Sequence, residues 1–148
     1  MRTIKRIFVH CTASYSTATV EGIKNEFKRK GWKAPGYHYL VDVDGNVHQL
    51  LREESVSNGV KGYNSSSINV AYIGGITKEH PEGIDTRTEK QKEGLIRILR
   101  RLRARYPSAK IMGHRDISED KNHNGKIDPW ERIKNCPCFD AIPEYSFI

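Results

Sequence analysis

The sequence predicts an α/β fold: a single domain with a central mixed β-sheet flanked by helices. Short apolar runs alternate along the chain with segments of helical periodicity, the order that lays helices on the faces of a sheet. A chain of 148 residues suits one domain with its own core. Asp44-Gly45 lies between two strand-like segments, which adds a hairpin.

Residues 5–10 read as a first strand, with Ile7 and Val9 on one face. The apolar run Ile7-Phe8-Val9 is too short for a signal peptide. Across residues 19–30, Val20, Ile23 and Phe27 recur at helical spacing, and Gly31 stops this amphipathic helix. Residues 37–43 and 46–50 form the hairpin, with a type I′ turn expected because glycine tolerates positive φ. Residues 55–69 are polar and rich in Gly and Ser, a long surface loop of the kind that lines sites. Residues 69–73 read as a short buried strand stopped by Gly74-Gly75, and residues 77–85 as another loop. Thr86 with Glu89, and Thr88 with Gln91, both fit a capping box. Leu95, Leu99, Leu102 and Tyr106 then mark a long helix that stops near Pro107. Residues 110–113 form a last strand that delivers His114. No internal repeat, linker or low-complexity segment interrupts the chain.

The hydrophobic fraction of 36% and charged fraction of 29% fit a soluble globular protein. No apolar run nears the roughly 18 residues of a membrane span, so no membrane insertion is expected. The formal net charge of +7 favours polyanionic partners, either nucleic acid or an anionic cell envelope. Much of it sits on one helix, at Arg97, Arg100, Arg101, Arg103 and Arg105, which reads first as a solvated face. No aromatic-interleaved basic motif accompanies it, so no specific nucleic-acid partner is expected, and a monomer is. The cysteines, Cys11, Cys136 and Cys138, are odd in number in a chain without an evident leader. That argues against a disulfide framework and for metal or catalytic use.

The most informative stretch is residues 114–140, where a His, a Lys and two Cys surround a cation-loop pattern. Residues 120–131 fit the twelve-residue EF-hand loop. Asp120, Asn122, Asn124, Asp128 and Glu131 fall at positions 1, 3, 5, 9 and 12, Gly125 at 6 and Ile127 at 8. Lys126 would add its backbone carbonyl. The expectation is a structural Ca2+ that staples Lys134 and Cys136 in place; the alternative is a polar turn without metal. His10, at a strand end beside small polar residues, fits either a buried structural histidine or a ligand.

The chain resembles the type 2 N-acetylmuramoyl-L-alanine amidases, phage lysozymes of amidase type related in fold to peptidoglycan-recognition proteins. The likeness runs in order through IFVHCTA at 7–13, KGW at 30–32, GYHY at 36–39, DGNV at 44–47 and KGYNS at 61–65. It continues with VAYIGG at 70–75, GHRD at 113–116 and KNCPCFD at 134–140. The resemblance implies a catalytic Zn2+ held by His10, His114 and Cys136. The family pattern C-P-x-F-D selects Cys136, leaving Cys138 as a small packed thiol. It also implies Tyr37 and Lys134 as catalytic residues, with their roles undivided, and peptidoglycan or muropeptides as partners. The reaction implied is hydrolysis of the amide between N-acetylmuramic acid and L-alanine. Many members carry a histidine before KGYN; residues 57–60 here read Ser-Asn-Gly-Val, so a site-lining hydrogen bond is either missing or supplied by Asn58 or Asn64. His38 lies on the opposite strand face from Tyr37 and reads as structural.

Rival readings are a non-catalytic peptidoglycan-binding module, a nucleic-acid binder using the Arg-rich helix, and a zinc peptidase that cuts another stem-peptide bond. Binders of this fold commonly lose the cysteine ligand, so Cys136 favours an enzyme. A kinase reading of His114-Arg115-Asp116 fails because Lys121 stands where that motif needs Asn. The expected setting is an endolysin made in the cytoplasm and acting on the cell wall after release. A cytoplasmic muropeptide-recycling amidase is the alternative.

Overall fold

The computed structural model describes residues 2–125, 127–132 and 134–148. Its five-stranded sheet is built outward from β1 (Arg6–Cys11), which pairs in parallel with β4 (Ser67–Tyr72) and with β5 (Lys110–Gly113). The strand β2 (Tyr39–Val41) runs parallel to β4, and β3 (Val47–Gln49) closes the edge antiparallel to β2. The order is β3-β2-β4-β1-β5, so the sheet is mixed, as expected. Central parallel strands are covered on both faces and therefore read as continuous apolar runs. Ile7, Phe8 and Val9 of β1 are fully buried.

Side-chain alternation sorts the core into two layers. Ile7, Val9, Ile68, Val70 and Tyr72 pack with Leu95, Ile98, Leu99 and Leu102 of helix α2 (Glu89–Arg105). On the other face, Leu40, Ala71 and Ile73 meet Ile23 and Phe27 of helix α1 (Val20–Arg29). Phe8 and His10, out of phase with Ile7 and Val9, turn towards the α1 side.

Of the two capping boxes, Thr88 with Gln91 forms: Thr88 Oγ1 accepts from the Gln91 N–H at 3.0 Å, and Gln91 Oε1 accepts from the Thr88 N–H at 2.9 Å. Thr86 Oγ1 accepts instead from the Gly75 N–H at 2.9 Å. The hairpin turn is not type I′. Only Gly45 of the pair takes a positive φ (84°), and the Gly45 N–H donates to the Asp42 carbonyl at 2.9 Å. The Asp42 carboxylate also accepts from the Asp44 and Asn46 N–H groups at 2.9 and 3.0 Å. That side-chain turn displaces the two-residue loop. A short C-terminal helix, α3 (Ala141–Glu144), was not expected.

The arginine run on α2 is a solvated face, as expected, with Arg97, Arg100, Arg101 and Arg105 exposed, and some of its side chains also tie neighbouring segments to the helix. Arg97 donates to the Gly45 carbonyl at 2.8 Å, Arg103 to the Ala109 carbonyl at 2.6 Å and Arg105 to Glu53 at 2.7 Å. Arg100 lies 5.5 Å from the Phe147 ring centre.

Candidate metal centre

Parallel pairing of β1 with β5 sets Val9 against Gly113, so a histidine follows at the C-terminal end of each strand. The His10 and His114 ring centres lie 5.0 Å apart. Cys136 comes from the loop ahead of α3, which is held at two points, by the turn after β5 and by β4. The Arg115 N–H donates to the Cys136 carbonyl at 2.9 Å, and the Tyr72 hydroxyl to the Pro137 carbonyl at 2.7 Å. Cys136 Sγ then sits 3.7 Å from His10 Nδ1 and accepts from the Cys11 N–H at 3.2 Å. The ligand atoms of His10, His114 and Cys136 all lie within 4.8 Å of one another, the one such group of three among the described residues.

Electrostatics favour the metal-binding form of both rings. Burial pushes the His10 pKa down to about 4 against a smaller opposing effect of its Asn69 hydrogen bond. Burial, then the neighbouring His10, pushes His114 down to about 3. Both are therefore neutral near pH 7 and carry a lone pair. His10 Nε2 lies 2.8 Å from Asn69 Oδ1. Its proton belongs there, because Asn69 Nδ2 donates to Ser57 Oγ at 2.7 Å and so leaves the amide oxygen as acceptor. Nδ1 is thereby left free to bind a metal on the Cys136 side.

Sequence reasoning missed Asn69, since a polar residue within an apolar strand gives no motif. The available signal was one polar residue inside the apolar run 68–73, which needs a hydrogen-bond partner once buried, as Asn69 is. Gly59 supports the same contact: a Cβ there would lie 2.3 Å from Asn69 Cγ. His38 stands in this network as a structural residue. Its Nδ1 accepts from the Asn69 N–H at 3.0 Å, and its Nε2 lies 2.8 Å from the Ser55 carbonyl.

The two sequence-predicted catalytic residues line the cavity of about 180 Å³ that opens over the His-His-Cys group. The Tyr37 hydroxyl donates to the Cys11 carbonyl at 3.3 Å, and its ring centre is 5.2 Å from that of His10. Lys134 is exposed at the cavity wall, which Phe27 and Trp32 also line, their rings stacked with centres 5.7 Å apart. Asn58 lines the cavity, whereas Asn64 turns away, its Oδ1 accepting from the Val60 N–H at 2.7 Å.

The calcium expectation finds no support. Asp120, Asp128 and Glu131 do not converge as a group of ligands. Their carboxylates are taken up within the loop. Asp120 accepts from the Gly125 N–H at 2.8 Å, Glu131 from the Asp128 N–H at 2.8 Å, and Asp128 from the Asn122 and Asn124 side-chain amides at 3.0 and 2.8 Å. Lys126 lies outside the described residues.

The family of N-acetylmuramoyl-L-alanine amidases matches residues 1–131. The endolysin of Enterobacteria phage K11 is 36% identical over 138 residues, covering 91% of this chain and 81% of that protein. The endolysin of Escherichia phage T7 is 32% identical over 136 residues, covering 90% and 80%. Among solved structures, the Ph2119 endolysin from the Thermus scotoductus MAT2119 bacteriophage superposes with a TM-score of 0.68 at 25% identity, covering 93% of this chain and 79% of that one. Apis mellifera PGRP-SA shares the fold alone, with a TM-score of 0.72 at 16% identity over 99% and 83%. With this extent of match and a fold shared from end to end, the chain belongs to the N-acetylmuramoyl-L-alanine amidase family.

Proposed function

We propose that this protein is an endolysin-type enzyme that hydrolyses the amide joining the lactyl group of N-acetylmuramic acid to L-alanine in peptidoglycan. Its metal is zinc, held by His10, His114 and Cys136. The observation that carries the reading is the convergence of those three ligand atoms within 4.8 Å at the floor of an open cavity. Two neutral imidazoles and a thiol fit Zn2+, and three protein ligands leave a coordination position open. Zinc bound there supplies a Lewis acid for the amide carbonyl and lowers the pKa of water to about 7.

The chain's own groups do the rest. The Lys134 ammonium offsets negative charge developing on the carbonyl oxygen. Burial holds the Tyr37 phenol well above its ordinary pKa, so it stays an O–H donor. It orients the attacking water or passes a proton towards the departing L-alanine nitrogen. Phe27 and Trp32 give the substrate an apolar wall beside the cavity. Among the described residues no helix is long and apolar enough to cross a membrane.

Digestion of purified peptidoglycan, with products identified by mass spectrometry, tests the proposal. The expected products are stem peptides with a free L-alanine amino terminus and peptide-free glycan. Release stops with a zinc chelator and falls by about a hundredfold or more in Lys134→Ala and Cys136→Ala, the scale seen when one transition-state contact is removed. Binding without cleavage, or cuts within the stem peptide, would overturn it.

A further inference from the structure

The centre contains more sulfur than its chemistry uses. Cys11 Sγ lies 3.9 Å from Cys138 Sγ, in direct thiol contact, and all three cysteines are free. Cys136 Sγ points to His10 and accepts the Cys11 N–H, so the metal reading occupies that sulfur and leaves the other two facing each other. We infer that Cys11 and Cys138 form a reversible dithiol–disulfide site that clamps the strand bearing His10 to the loop bearing Cys136.

Three features of the local structure support the pair. First, space around both sulfurs is kept clear by glycines. A Cβ at Gly75 would lie 2.6 Å from Cys11 Sγ, and one at Gly83 would lie 2.9 Å from Cys138 Sγ. Second, Cys138 takes a left-handed φ of 75°, a conformation that costs a non-glycine residue energy and persists where surrounding contacts enforce it. Here the Cys138 N–H is tied to the Asn135 carbonyl at 2.6 Å. Third, an external reagent has a way in. A cavity of about 440 Å³ beside the metal centre is lined by Cys11, Cys138, Gly75, Pro81 and Asn135, and Cys138 is partly exposed to it.

The oxidant is a low-molecular-weight disulfide such as oxidised glutathione. The Cys138 thiol gives up its proton as its sulfur attacks one sulfur of this disulfide, breaking the external S–S bond and releasing one glutathione thiolate. The Cys11 thiol, losing its proton in turn, then attacks Cys138 Sγ of the mixed disulfide and releases the second glutathione thiolate. One protein S–S bond forms, two cysteines are oxidised, and their two protons end on two glutathione thiols. The sulfurs close from 3.9 Å to about 2.05 Å. The bridge joins positions 127 residues apart in sequence, from 11 to 138, so it constrains nearly the whole unfolded chain. A protein made in a reducing compartment and working in an oxidising one would gain this clamp on arrival.

The inference rests on the zinc reading only for sparing Cys136, and the test separates the two. Zinc-loaded protein is incubated in oxidised glutathione, quenched by alkylation, and analysed by intact mass and peptide mapping, with zinc content measured on the same samples. The expected species is lighter by two hydrogens, carries a peptide linking Cys11 to Cys138, and returns to the free thiols with reductant. Its Tm is higher by about 8 °C, from the usual effect of a long-loop disulfide. Cys138→Ser forms no bridge and shows no rise in Tm. Unchanged mass, a mixed disulfide that does not resolve, or a bridge to Cys136 in zinc-loaded protein would each overturn the inference. A protein that forms the Cys11–Cys138 bridge yet never holds zinc would sink the metal assignment instead.

Discussion

At the scale of single residues, the proposed metal centre depends on a side chain outside its three candidate ligands. Asn69 fixes which nitrogen of His10 carries the proton, and it is itself fixed by Ser57 and by the close approach of Gly59. Removing the amide leaves a buried ring N–H without its partner and lets the imidazole rotate or change tautomer. Partners of this kind typically matter 10- to 100-fold for metal affinity. Asn69→Ala should therefore weaken zinc binding by roughly 10- to 100-fold in a competition titration against a chromophoric chelator. Asn69→Asp, which keeps an acceptor at the same place, should lose much less. Equal affinities in wild type and Asn69→Ala would show that the strand alone orients His10.

At the scale of elements, α2 meets the hairpin turn through a glycine. A Cβ at Gly94 would lie 2.5 Å from the Gly45 carbonyl oxygen and 2.9 Å from Val41 Cγ1, and Arg97 donates to that same carbonyl. Two effects oppose each other in Gly94→Ala. Helix propensity favours alanine by about 1 kcal/mol, whereas overpacking against a well-filled contact costs about 1–3 kcal/mol. Because the neighbour is backbone rather than a flexible side-chain tip, the clash wins. Gly94→Ala should lower stability by about 1–2 kcal/mol in denaturant unfolding; a stabilised variant would show that the turn yields at little cost. Much of this level was legible in the sequence. The apolar runs gave the strands, the 95–99–102 stripe gave α2, and Thr88 with Gln91 gave its cap. The hairpin turn was misread because the Asp42 carboxylate, outside the Asp-Gly pair, sets its geometry. The helix α3 was not legible because four residues that include Pro143 carry no periodicity. Of the site, His10, His114 and Cys136 came from resemblance. Their proximity depends on strand register and on a loop anchored by Tyr72, neither of which leaves a local pattern.

For the molecule as a whole, Glu53 joins parts distant in sequence. Its carboxylate accepts from the Tyr106 hydroxyl at 2.8 Å, from Arg105 at 2.7 Å and from the Tyr39 hydroxyl, while its carbonyl accepts from Arg2 at 2.5 Å. The N-terminal arm, the hairpin and the end of α2 thus meet at one residue, Glu53, which is 5% exposed. Burial by itself would raise its pKa. The hydrogen bonds from Tyr39, Tyr106 and Arg105 outweigh it and hold the group below the ordinary value of 4.5. A carboxylate with a depressed folded-state pKa contributes stability above its unfolded pKa and loses it as pH falls through the folded one. Hydrogen bonds to a charged group contribute about 1.5–3 kcal/mol, so Glu53→Gln should cost about 2 kcal/mol at pH 7. The gap between wild type and variant should shrink as pH falls below about 4.5. Denaturant unfolding across pH 3–7 checks this on zinc-free protein, since metal release on acidification would otherwise add its own pH dependence. A gap that stays constant over that range would mean that Glu53 acts through shape and neutral hydrogen bonding, with its charge contributing nothing to the junction.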